Sequence, residues 1–123
     1  MKVLSPRAHG VVDYSSAALF ILAPTLFGFG GLPATLARTL GIGYALLSLM
    51  TAYPLGVVRA VPFPVHVALD WVLGVFLLAA PWLLGFADNE SARNFFVGMG
   101  VISVIVTALT DARRADHEAA LPR

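Results

Sequence analysis

The stretch HVALDWVLGVFLLAAPWLLGF, residues 66–86, decides how this chain is read. It is apolar for 21 residues, interrupted only by His66 and Asp70. An α-helix rising ~1.5 Å per residue needs about that length to cross ~30 Å of hydrocarbon. The pattern also occurs 57 residues earlier, without a gap. His9 falls on His66, Asp13 on Asp70, Ala23 and Pro24 on Ala80 and Pro81, and Gly28 and Phe29 on Gly85 and Phe86. Tyr14 stands opposite Trp71, and the same shift puts Gly41 and Gly43 on Gly98 and Gly100. The chain therefore reads as two copies of one unit.

Composition sets the solvent. Of 123 residues, 59% are hydrophobic and 12% charged, and the mean hydropathy is +0.84. A soluble domain carries about 25% charged residues, so too little polar surface is present to cover a globule in water. The net charge of +1 gives no basic patch for nucleic acid, and the absence of cysteine excludes disulfides and thiolate chemistry. The N-terminal apolar run reads as a helix rather than a signal peptide. It exceeds the usual ~7–15 residue signal core, contains Asp13 and has a copy in mid-chain.

Four helices follow from the punctuation. The first opens at Ser5-Pro6, a good N-cap followed by a proline suited to the first turn, and runs to about Phe29. The second spans about Pro33 to Tyr53, where Pro54 stops it. The third spans about Pro64 to Phe86. The fourth covers about Glu90 to Thr110, capped by Asp88 or Asn89. The apolar runs do not alternate, which excludes strands. The expected fold is all-α: a polytopic membrane protein whose four transmembrane helices form two tandem helical hairpins of period 57. Lys2, Arg7, Arg59, Arg113, Arg114 and Arg123 lie on one side, against Arg38 and Arg93 on the other. That places both termini in the cytoplasm. With an even number of spans per copy, the hairpins enter in the same direction, related by a pseudo-two-fold axis along the membrane normal. The organisation is a single membrane domain, with repeat 1 over about 6–53 and a linker over 54–63. Repeat 2 covers about 64–110, and a charged cytoplasmic tail covers 111–123.

Two stripes face inward. The second helix carries Ala37, Gly41, Ala45, Ser48 and Ala52 on one face, and the fourth carries, more weakly, Gly100, Ser103, Thr107 and Thr110 or Asp111. Small residues let helices approach closely in lipid, so Gly41, Gly43, Gly98 and Gly100 are read as packing glycines. A self-associating, homo-oligomeric surface is the sharper alternative. The first and third helices carry His9, Asp13, Ala17, Pro24, Gly28 and His66, Asp70, Gly74, Pro81, Gly85. Pro24 and Pro81 each remove a helix hydrogen bond near the far end.

The chemistry rests on His9, Asp13, His66 and Asp70. Residues four apart are neighbours on a helix, and an acid within a spanning segment is a functional candidate by default. One reading has each Asp pinned by its His or by Arg59, Arg113 or Arg114. A second joins the four into a cation or proton site. Haem held by the two histidines is the weakest. No nucleophile elbow, phosphate loop or HExxH motif is present, so neither an enzyme nor a cofactor is expected.

The stretch APWLLGFADNESARNFFVGMG resembles the SPW-repeat family of small bacterial integral membrane proteins. In that family each repeat is a helix pair whose first helix ends in Ser-Pro-Trp and whose second is glycine-rich. Here Ala80-Pro81-Trp82 occupies the motif, and Ala23-Pro24-Thr25 keeps only its proline. The resemblance covers roughly residues 7–110 and implies a membrane protein without an assigned activity. It supplies no site residues. The expectation, with the bacterial setting implied by that resemblance, is a structural or interaction module of the bacterial inner membrane, with the lipid bilayer as partner. The alternative is a small transporter or cation-binding protein using the paired His-x3-Asp site.

Overall fold

The computed structural model describes residues 4–110. Four helices hold most of them: α1 (Pro6–Phe27), α2 (Gly31–Leu49), α3 (Phe63–Leu83) and α4 (Glu90–Leu109). Each is long and apolar enough to cross a membrane. The tail residues Arg113, Arg114 and His117 lie outside the described residues.

Local chemistry sets the helix ends. Ser5 caps α1, its hydroxyl accepting from Ala8 N–H at 3.1 Å, and Asn89 caps α4, its side chain accepting from Ala92 N–H at 3.2 Å. Gly28 and Gly85 follow α1 and α3 with φ of 69° and 79°, the left-handed region that lets the chain turn back. Pro24 and Pro81 sit buried in the last turns of α1 and α3 without ending either helix.

The second helix ends earlier than Pro54 predicts. It stops at Leu49, and Thr51–Ala52 pairs in parallel with Val61–Pro62. The Met50 carbonyl accepts from the N–H groups of Ala60 and Val61 at 3.0 and 2.8 Å. The 50–62 segment thus satisfies its own backbone by folding back on the end of α2. The other pair of ends meets similarly, with Leu4 bridged to Thr110 and its N–H 2.7 Å from the Leu109 carbonyl.

α1 packs along α2, α3 along α4, and α1 also touches α4. Toward the turn end, Phe20, Leu77, Phe86, Phe95 and Phe96 fill the core around Ala23, Ala37 and Ala80. Large apolar side chains such as Val72, Trp82, Leu83 and Ile105 point outward. A folded soluble domain does not present that many; lipid accepts them.

The register of the second helices differs from the gapless repeat. α3 begins 57 residues after α1, but α4 begins 59 after α2. The turn before α4 is longer, so Gly41 corresponds to Gly100. A Cβ on Gly41 would meet Ile21 and the Ala17 carbonyl at 2.7 and 2.8 Å, and one on Gly100 would meet Leu78 at 2.9 Å. Those two are packing glycines. Gly43 and Gly98 are not: among the described residues nothing lies within 4 Å of their Cβ positions.

Candidate functional site

His9 and Asp13 lie in the first two turns of α1, and His66 and Asp70 in the first two of α3. The i, i+4 spacing turns each pair to the inner face, and all four are buried, with exposures of 1%, 3%, 0% and 1% in chain order. The structure brings the two pairs together. One donor atom from each residue lies within 4.8 Å of the other three.

The contacts cross between the repeats. His9 Nε2 is 2.7 Å from Asp70 Oδ2 and 3.2 Å from Asp13 Oδ1. His66 Nε2 is 3.1 Å from Asp13 Oδ2 and 3.4 Å from Asp70 Oδ2. In both cases the partner on the other repeat is the nearer one. The imidazole rings stand edge to face, centroids 5.7 Å apart.

A threonine from the end of each second helix holds each imidazole from behind. Thr51 Oγ1 is 2.7 Å from His66 Nδ1, and Thr110 Oγ1 is 2.7 Å from His9 Nδ1. Each hydroxyl donates its one proton to the carbonyl four residues back, Leu47 and Val106, at 2.6 Å. Each Nδ1 must therefore be the donor to its threonine, which leaves Nε2 of a neutral ring with a lone pair. Both Nε2 atoms face the carboxylates.

Two tyrosines complete the shell. The Tyr44 hydroxyl lies between the two acids, 3.1 Å from Asp13 Oδ1, in contact with Asp70 Oδ1 and 3.3 Å from His66 Nε2. Tyr53 donates to Asp13 Oδ2 at 3.1 Å. Tyr53 lies beyond the end of α2 and stacks on Phe63, with centroids 5.3 Å apart, so the two rings roof the centre. Burial, and then the Asp13 charge, push the Tyr53 phenol well above its usual pKa. A cavity of about 30 Å³ borders the centre on its other side, with Ser16, Tyr44, Ser103 and Thr107 among its lining residues.

Sequence reading found the two His–Asp pairs but missed Thr51, Tyr44 and Tyr53, and had Thr110 only as a packing residue. Tyr44 lies three residues after Gly41 and four before Ser48, so helical spacing already put it on the inner face. The threonines are 59 apart, which a repeat sought at 57 does not pair.

The SPW repeat domain model matches residues 7–110, nearly the whole described chain. The chain belongs to the SPW repeat family. With four spanning-length helices, this SPW repeat protein is an integral, multi-pass membrane protein. No curated protein and no solved structure matches it. In this SPW repeat pair Pro81 is buried and Trp82 exposed, so the proline packs inward and the indole faces outward.

Proposed function

We propose that this is a non-enzymatic protein of the bacterial inner membrane, both termini cytoplasmic, that holds a small cation at the His9–Asp13–His66–Asp70 centre. The observation that carries this reading is the 2.7 Å approach of His9 Nε2 to Asp70 Oδ2, with Nδ1 already committed to Thr110. A carboxylate and an imidazole lone pair at that distance repel unless a proton or a metal ion lies between them. Two buried carboxylates without a compensating positive charge would be strongly unfavourable. The site supports ion binding over a purely structural module because a structural polar contact needs neither two acids nor two oriented imidazoles.

The test is thermal unfolding of the purified chain in detergent across pH and with added divalent metals, beside Asp13→Asn and Asp70→Asn. Wild type should show a pH- or metal-dependent shift that both variants lose. Identical profiles in all three would overturn the reading.

A further inference from the structure

Taking that cation centre as the starting point, we propose that its ion is a divalent transition metal of the zinc type, held tetrahedrally by Nε2 of His9 and His66 and one oxygen each of Asp13 and Asp70. Four features select this class.

The donor set is two imidazole nitrogens and two carboxylate oxygens. Zinc-type ions accept that mixture with four ligands, whereas magnesium and calcium require about six or more oxygens. Phenols already lie against three of the four carboxylate oxygens, Tyr44 on Oδ1 of Asp13 and of Asp70 and Tyr53 on Oδ2 of Asp13. A six-oxygen cage is therefore not on offer.

The spacing agrees. Bonds of ~2.0–2.1 Å in a tetrahedron put neighbouring ligand atoms about 3.3–3.4 Å apart. Taking Oδ2 of each acid, His9 Nε2 is 2.7 Å from Asp70, and His66 Nε2 is 3.1 Å from Asp13 and 3.4 Å from Asp70, all within about 0.6 Å of that spacing.

The imidazoles are pre-set. Metal-bound histidines give the far ring N–H to an oxygen that fixes tautomer and orientation. Thr51 and Thr110 do this for His66 and His9. Each hydroxyl is pinned by a helix carbonyl, so it accepts only. A proton relay gains nothing from this, because it needs Nδ1 free to pass its proton onward.

The charge also balances. Two carboxylates and two neutral imidazoles sum to −2, which one divalent ion neutralises where all four side chains are buried.

The experiment uses the full chain in detergent, stripped with a chelator and reloaded with Zn²⁺ or Co²⁺ alone. Expected are one metal per chain, a raised unfolding temperature and, for Co²⁺, the intense visible bands of a tetrahedral complex. Mg²⁺ and Ca²⁺ at the same concentration should do nothing. Asp70→Asn and His9→Gln should lose the bands, and His117→Ala should keep them. Thr110→Val leaves all four ligands in place, so it serves if a ligand variant does not fold. It should weaken metal affinity by about 10–100-fold. Absent or octahedral-type cobalt bands in the wild type would overturn the metal assignment. So would cobalt bands that survive Asp70→Asn. If metals do nothing but a pH-dependent shift remains and vanishes in the Asp variants, the centre is proton-held: this inference fails and the cation centre stands. If neither metal nor pH has an effect, both fail.

Discussion

Replacing Gly41 by alanine should weaken the protein, and replacing Gly43 should not. The added Cβ at Gly41 would lie 2.7 Å from Ile21 Cγ1, 2.8 Å from the Ala17 carbonyl oxygen and 3.0 Å from Phe20 Cβ. Ordinary contact begins at 3.4 Å, so α1 and α2 must part by roughly 0.6 Å at a close-packed crossing. The Ala17 oxygen is backbone and cannot rotate away. Overpacking of this kind costs ~1–3 kcal/mol, offset by the ~1 kcal/mol that alanine gains over glycine in a helix. The net loss is about 0–2 kcal/mol, a factor of up to roughly 30 in the folded-to-unfolded ratio. At Gly43 the propensity gain stands alone, because nothing described lies within 4 Å. Gly100→Ala and Gly98→Ala should divide the same way, since Gly100 abuts Leu78 and Gly98 abuts nothing described. Reversible denaturant unfolding of the four variants in one detergent, followed by circular dichroism, measures the differences. If Gly43→Ala and Gly98→Ala lose stability while Gly41→Ala and Gly100→Ala do not, the 59-residue register is wrong.

Three other outcomes are expected. Tyr53→Phe removes the hydroxyl that donates to buried Asp13 and should lower stability by ~1–3 kcal/mol. The same phenol ionises near pH 10.0 in the unfolded chain but is held neutral when folded. Its contribution is therefore whole below that pH and declines as pH rises above it, so the wild type should lose stability more steeply in alkali than Tyr53→Phe. Asn89→Ala removes the α4 cap and should cost ~1 kcal/mol in the same unfolding assay. The chain has no cysteine, so single cysteines report sidedness: in intact cells Asp88→Cys should react with a membrane-impermeant maleimide and Val58→Cys should not.

Much of this architecture is visible in the chain because lipid makes simple demands. Long apolar runs and Ser5-Pro6 place the helices to within a few residues. The His–Asp pairs stood out because acids and imidazoles are rare in apolar segments. Their meeting did not, since spacing along one helix says nothing of distance between helices. The threonines were hidden by a two-residue lengthening of the second turn, which moves α4 relative to α3 without disturbing the apolar pattern. The early end of α2 was hidden as well. Pro54 marks a boundary, but the pairing of residues 51–52 with 61–62 depends on a segment reached only ten residues later.

The interleaving of the two copies constrains how the protein is made. When the first hairpin leaves the ribosome, His9 and Asp13 have each other, but their nearer partners, Asp70 and His66, are not yet synthesised. Until they arrive, a polar pair must wait at the membrane. It sits within two turns of the start of α1, where interfacial water still reaches it. Final dryness of the pair therefore marks the moment the second hairpin docks, and synthesis halted after residue 60 should leave a half-protein that seeks another copy of itself.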